Sequence, residues 1–159
     1  MPLESPNATP SLTLQKTINA RLEDISNKLG DPAQLPTIHP LIYRTQVTAR
    51  SKEGDREVFS FDVWEKVPLL GLSIPSQYKG QLRRDLSAPG VVVMEGWSQP
   101  GIHLFIRFTM EELSPGQCKV TDSVWVKAPW LLRSFLLKTV TAAHQAQLDA
   151  LAASFAPKG

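Results

Sequence analysis

Apolar and polar residues alternate along most of the chain, which is the period of a half-buried β-strand. Seven such stretches are separated by turns rich in Gly and Pro. The predicted strands cover residues 11–18, 41–50, 57–67, 72–86, 91–97, 102–113 and 117–128. No helix-length insertion separates the last six, so the pattern predicts a meander of antiparallel strands.

Two segments carry a helical pattern instead. A short helix is predicted over 21–29, where Gly30-Asp31-Pro32 ends it. The long helix runs from Trp130 to Phe155, about 40 Å at the standard rise per residue. Its apolar side is formed by Leu132, Leu136, Val140, Ala143, Leu151 and Phe155. Between the short helix and the second strand, three prolines within residues 32–41 predict an irregular segment.

Three polar residues fall where the pattern predicts burial. His144 and Gln147 intrude on the apolar side of the long helix, and Asp122 shares a strand face with Val120 and Val124. Burying such a group without a partner costs about 1 to 3 kcal/mol. The three residues therefore require partners, water or a ligand.

Composition narrows the function classes. The 159 residues are 42% hydrophobic, which suits one domain, predicted over 11–156 after a flexible tail over 1–10. The net charge of +2 is spread along the chain, so nucleic acid is not an expected partner. A metal site is not expected, because the sequence has one cysteine and three scattered histidines. A cofactor bound through phosphate is not expected either, because the sequence has no glycine-rich phosphate-binding loop. Charged residues interrupt the terminal helix, so no membrane span is expected, and the predicted location is the cytoplasm.

The order of elements resembles a known fold. The stretches "LGDPAQLPTIHPLI" and "CKVTDSVWVKAP" are similar to the helix exit and last strand of the START-related, polyketide cyclase-like superfamily, also called SRPBCC. The resemblance covers about residues 11–156. It implies an α+β helix-grip fold, in which a curved antiparallel sheet of about seven strands wraps around the long C-terminal helix.

The same resemblance implies a cavity for a hydrophobic small molecule between the sheet and the helix. The leading hypothesis is a carrier or sensor of a lipid, polyketide or similar molecule, without a cofactor. The alternative is an enzyme of the cyclase or aromatase type acting in the same cavity. A third possibility is an adaptor with a filled core whose exposed turn at Leu69-Leu70 contacts another protein, although the sequence identifies no protein partner.

Candidate site residues follow from strand phase and helix face. Asp122, Glu95 and His144 are the candidates for proton transfer, although a structural role is favoured for each. Glu95 shares a side with Val91, Val93 and Trp97, on a strand whose inner face the pattern leaves open, as it does for 72–86. The predicted ligand-binding residues are Tyr43, Phe59, Phe61, Val63, Trp97, Ile106, Phe108, Val120, Val124, Leu136, Val140, His144 and Gln147. Tyr78 is weighed as a polar contact, His39 is assigned a structural role, and His103 is expected outside.

Overall fold

The computed structural model describes residues 3–157. The elements are β1 (Leu12–Ile18), α1 (Leu22–Leu29), a 3-10 turn (Pro32–Gln34), α2 (Leu35–Ile38), β2 (Ile42–Glu53), β3 (Arg56–Leu69), β4 (Leu72–Asp85), β5 (Val91–Ser98), β6 (Ile102–Ser114), β7 (Gln117–Lys127) and α3 (Trp130–Ser154). All seven predicted strands and both predicted helices are therefore present, and the short α2 is an addition.

The strands form a single antiparallel sheet. Its order is β1-β7-β6-β5-β4-β3-β2, so the meander from β2 to β7 is continuous and β1 adds to its end beside β7. Because each neighbour in the meander follows directly in sequence, tight turns are sufficient to connect the strands. The predicted α+β helix-grip class is confirmed.

The long helix α3 lies across the inner face of the sheet. Its C-terminal half buries Leu148 and Leu151 fully, against Val120 of β7 and the two fully buried apolar residues of α1, Ile25 and Leu29. This end of the molecule is a continuous apolar core. The N-terminal half of α3 is less buried, and this difference positions the site described below.

The proline-rich segment is more regular than predicted. Pro32 begins the 3-10 turn and Pro36 lies in the first turn of α2, where a residue without an N–H loses no helical hydrogen bond. The Asp31 carboxylate accepts a hydrogen bond from the Ala33 N–H at 3.0 Å and caps the turn. The prediction of an irregular segment is wrong for these residues.

Strand β4 is paired unequally along its length. All of Leu72–Asp85 pairs with β3, whereas β5 pairs only with Lys79 to Arg84. Pro75 therefore lies in a part of β4 that has one neighbouring strand, where its missing N–H breaks no ladder. This placement agrees with the edge position that the sequence pattern indicates.

The chain before β1 runs along the outer face of the sheet. Arg107 Nη1 donates a hydrogen bond to the Leu3 carbonyl at 2.6 Å, and Trp125 Nε1 donates one to the Ala8 carbonyl at 2.7 Å. Residues 1 and 2 of the predicted flexible tail lie outside the described residues, and the flexibility of the rest stays a prediction. Within residues 3–157, no helix is both long and apolar enough to cross a membrane.

Candidate functional site

A cavity of about 310 Å³ lies between the inner face of the sheet and α3, which borders it from Leu132 to Gln147. Its walls are mainly apolar, because the strands and the helix both turn their hydrophobic sides toward it. The main apolar walls are formed by Phe61, Leu104, Phe108, Phe135, Leu136 and Val140. The cavity removes the basis for an adaptor with a filled core.

Exposed apolar residues lie beside the cavity on the β3–β4 hairpin and at the start of α3. Leu69 and Ile74 of the hairpin line it and are 41% and 40% exposed, and Leu132 of α3 lines it from the other side. Next to them, Leu70 is 93% exposed and Trp130 is 82% exposed. Apolar side chains in contact with water therefore lie at this side of the cavity.

Two glycines on adjacent strands make room on the sheet side of the cavity. Gly80 of β4 pairs directly with Gly96 of β5, and both border the cavity. A Cβ at Gly80 would lie 2.7 Å from the Phe61 ring, and one at Gly96 would lie 3.1 Å from the Tyr78 ring. The two aromatic rings therefore rest against bare backbone.

A buried histidine–aspartate pair connects α3 to β7. His144 Nδ1 and Asp122 Oδ2 are 2.5 Å apart, and the residues are 3% and 0% exposed. A carboxylate at Nδ1 favours the proton on that nitrogen, which leaves Nε2 as the acceptor of the neutral ring. Asp122 does not border the cavity itself, but His144 does. The pair therefore meets the cavity through the imidazole.

A second histidine faces the first. The His39 ring lies edge-to-face against that of His144, with the ring centres 6.0 Å apart. His39 Nδ1 accepts hydrogen bonds from the Leu41 and Ile42 N–H groups at 3.2 and 3.3 Å, so the neutral ring carries its proton on Nε2. Burial, and to a lesser extent the charge of His144, lowers the pKa of His39 to about 3. His39 is therefore neutral at physiological pH.

Two acidic groups from β3 and β4 complete this region. Burial raises the pKa of Glu65 to about 7, although a charge on His144 acts in the opposite direction. Burial and the neighbouring Glu65 raise the pKa of the Tyr78 hydroxyl well above its usual value. Both side chains border the cavity. At neutral pH Tyr78 is protonated and Glu65 is close to its midpoint.

Gln147 lies one turn after His144 on α3, and its buried amide oxygen accepts no hydrogen bond from the described residues. It is 2% exposed and borders the cavity, and its Oε1 has no hydrogen-bond partner among residues 3–157. Oδ1 of Asp122 is also unpaired within that range. We call His39, Glu65, Tyr78, His144 and Gln147 the polar cluster.

Much of the predicted ligand-binding set lines the cavity. These residues are Phe61, Val63, Ile106, Phe108, Leu136, Val140, His144 and Gln147. They come from β3, β6 and α3, whose inward phase the sequence pattern indicates clearly. The cavity therefore gathers candidates that are far apart in the sequence.

The other predicted ligand-binding residues do not border the cavity. Val120 and Val124 are fully buried on the inner face, at places where other side chains fill the space. The Phe59 ring lies beneath the guanidinium of Arg50, at 5.3 Å, and Tyr43 is 51% exposed.

Trp97, the last of that set, stacks on the ring of His103, with ring centres 5.4 Å apart. Glu95 belongs to the same region, because its carboxylate is 2.5 Å from Arg83 Nη1 and 2.9 Å from His103 Nε2. Glu95 adjoins the cavity, but neither of these partners does. The structure therefore separates Glu95 from the pair formed by Asp122 and His144.

Glu65 is an acidic residue of the cavity that the sequence pattern does not single out. It continues the alternation of Phe59, Phe61 and Val63 along β3, so strand phase alone places it on the inner face. A carboxyl group at the end of an apolar run is easily taken for the start of a solvated turn. Glu65 is partly buried beside His144 because of where α3 lies, and the sequence of β3 does not indicate the position of α3.

Comparison with known proteins gives no match by family model and no match among curated proteins. Solved structures do match. The Zhui aromatase/cyclase from Streptomyces sp. R1128 superposes with a TM-score of 0.69, over 90% of this chain and 91% of its own, at 14% identity.

Two further structures agree. A START superfamily protein from Mycobacterium smegmatis gives a TM-score of 0.63 at 16% identity, over 90% of this chain and 94% of its own. The protein Ara h 8.0201 gives 0.64 at 14% identity, over 90% and 95%. At these identities the likeness concerns the fold. The chain has the helix-grip fold of the START-related superfamily.

Proposed function

We propose that this chain binds a hydrophobic small molecule in the cavity between the sheet and α3, as a carrier or a sensor. The observation that carries the proposal is the cavity of about 310 Å³ with its mainly apolar walls. This volume lies at the lower end of the range of roughly 300 to 1,000 Å³ that is typical of small-molecule sites. The predicted cytoplasmic location accompanies this proposal and stays a prediction.

The energetics of an empty cavity support an occupant. Side chains that face a void lose the dispersion contacts that a packed core provides. A molecule of matching shape restores these contacts and removes its own apolar surface from water. Binding to the folded state alone then stabilises the fold by mass action.

The test is extraction of ligands from the purified chain by native mass spectrometry, together with displacement of the neutral dye Nile red. Ala143→Phe places a ring in the cavity, since Ala143 borders it, and should reduce Nile red binding at least tenfold. Ala142→Phe is the matched control, because Ala142 is the exposed neighbour on the same helix. No extracted ligand and equal dye binding by both variants would contradict the proposal.

A second candidate function is catalysis of the cyclase or aromatase type, the activity named for the Zhui structure. The observation that favours it is the His144–Asp122 pair, in which the carboxylate holds the imidazole and Nε2 is left to act as a base. In an aldol step, Nε2 would take a proton from a carbon between two carbonyl groups. That carbon would attack another carbonyl carbon of the same substrate molecule, and the proton would pass to the alkoxide that forms.

The test uses a linear poly-β-keto thioester as the probe and follows aromatic absorbance. His144→Gln should remove at least a hundredfold of any rate enhancement, whereas His103→Gln, on the outer face, should leave the rate unchanged. Equal rates for both variants, or no turnover by the native chain, would exclude this candidate. Neither result would affect the proposal of binding.

A further inference from the structure

The polar cluster has hydrogen-bonding capacity without a Lys or Arg side chain. No Lys or Arg is present among the described residues that border the cavity. Glu65 borders it directly, and Asp122 lies behind His144. A ligand carboxylate or phosphate would therefore enter a region that already holds two carboxyl groups and offers no Lys or Arg to pair with it.

The cluster combines open acceptors with open donors, the Nε2–H of the neutral His39 ring and the hydroxyl of Tyr78, and a ligand hydroxyl can both donate and accept. Gln147 Oε1 is buried and unpaired within residues 3–157. His144 Nε2 is the acceptor of a ring whose Nδ1 is held by Asp122. A buried acceptor without a donor costs free energy, so a ligand that supplies a donor has an advantage over one that does not.

We infer that the polar cluster is a subsite for a neutral hydroxyl group, a phenol or an alcohol, on an otherwise hydrophobic ligand, and that Gln147 selects this group. The inference rests on the proposed function, because it assigns the chemical class of the molecule in the same cavity. The hydroxyl donates to Gln147 Oε1 or His144 Nε2 while its hydrophobic body contacts the apolar walls.

A ligand ammonium fits the cluster less well than a hydroxyl. Burying an ammonium requires a full counter-charge, and the carboxylate of Asp122 is already engaged by His144. Of the two carboxyl groups that border the cavity, Glu95 is paired with Arg83, and the pKa of Glu65, about 7, means that it is only partly ionised at neutral pH. A neutral donor needs no counter-charge.

The experiment compares four naphthalenes that share one body, by displacement of Nile red at pH 7. The four are 2-naphthol, 2-methylnaphthalene, 2-naphthoate and 2-(aminomethyl)naphthalene, which carry a hydroxyl, a methyl, a negative and a positive group. In the native chain, 2-naphthoate and the ammonium should bind at least tenfold more weakly than 2-naphthol.

The role of Gln147 is tested by Gln147→Met, which keeps the length of the side chain and removes the acceptor. The ratio of the dissociation constants of 2-naphthol and 2-methylnaphthalene should rise about tenfold, the equivalent of one hydrogen bond. Gln145→Met is the matched control, since Gln145 is exposed two residues earlier on α3 and should leave the ratio unchanged.

The outcomes separate this inference from the proposed function. If the naphthalenes bind but the charged ones bind as tightly as 2-naphthol, the hydroxyl subsite is wrong and the binding function stands. An unchanged ratio in Gln147→Met has the same meaning. If Gln147→Met does not fold, the ranking of the four ligands in the native chain still decides. If no naphthalene binds and no ligand is extracted, both proposals fail.

Discussion

The two halves of α3 rest on the same sheet with different results. The C-terminal half packs Leu148 and Leu151 into a continuous core with α1. The N-terminal half, with Phe135 and Leu136, faces the cavity. In both halves the side of the helix that faces the sheet is mainly apolar, and so is the face of the sheet opposite it.

The difference lies in what stands between the helix and the sheet. At the packed end α1 supplies Ile25 and Leu29, which fill the space. At the hollow end the inner face carries Gly80 and Gly96, which add no side chain. An apolar face is therefore a requirement for both a core and a binding site, and the volume of the facing residues decides which one forms.

The largest expected effect compares one substitution at the two ends. Leu148→Ala should lower the free energy of unfolding by about 3 to 4 kcal/mol, because it opens a void in a packed region. Leu136→Ala should cost about 1 kcal/mol, since that side chain is only partly buried and already borders a cavity. Urea unfolding of both variants measures the difference, and equal losses would mean that the hollow end is packed in solution.

The second prediction concerns the pH dependence of the hollow end. The pKa of Glu65 is raised to about 7, so the unfolded chain loses this proton at lower pH than the folded chain does. Its contribution to stability therefore falls as pH rises from about 4.5 to 7 and is constant above that range. Glu65→Gln should raise the free energy of unfolding at pH 8 by on the order of 2 kcal/mol, allowing for partial solvent screening.

At pH 4 the same variant should differ little from the native chain, because the carboxyl group is protonated in both states. His39 contributes in the opposite direction, since its lowered pKa means that stability falls as pH drops below about 6.5. Both proteins contain His39, so its contribution cancels in the difference. A difference that is the same at pH 4 and pH 8 would argue against a buried, ionisable Glu65.

The third prediction, a smaller effect, concerns the stability of the polar cluster without ligand. Without ligand, Gln147→Met should raise the free energy of unfolding by about 1 kcal/mol, because it replaces an unpaired buried acceptor with an apolar side chain of similar length. Thermal unfolding measures the change, with Gln145→Met as the control. A loss of stability would show that the Gln147 amide is hydrogen-bonded in solution.

The smallest effect is expected at the surface of the packed end. Lys16 Nζ of β1 lies 2.9 Å from Asp149 Oδ1 of α3, and the two side chains are 37% and 54% exposed. An exposed ion pair contributes little, so Asp149→Asn should cost at most about 0.5 kcal/mol. A loss above 2 kcal/mol in urea unfolding would mean that this pair, rather than the apolar core, holds the helix to the sheet.

Strand phase and turn chemistry were sufficient to predict the meander. Alternation fixes which residues share a face, and Gly and Pro mark the turns, so β2 to β7 follow from local patterns. The two short helices between Pro32 and Ile38 were missed because three prolines were interpreted as a break. Proline is tolerated in the first turn of a helix, and here Pro32 and Pro36 occupy such positions.

The candidate site was predicted less completely, for a different reason. The face of α3 indicates that His144 and Gln147 are buried, and the phase of β7 places Asp122 inward. The pattern of β5, apolar on both faces, could not separate Glu95 from the inner side. Whether a buried polar group meets a partner or a cavity depends on side chains from several elements, and no local pattern contains that information.

The glycine pair on β4 and β5 has a consequence for how the cavity can be reshaped. Gly80 and Gly96 leave room for the rings of Phe61 and Tyr78 to settle against the backbone. A methyl group at either position would approach a ring too closely, at 2.7 Å for Phe61 or 3.1 Å for Tyr78, so the ring would have to move and the shape of the cavity would change. Under the proposed function, substitution of either glycine by alanine is therefore expected to change ligand preference without adding or removing a charge.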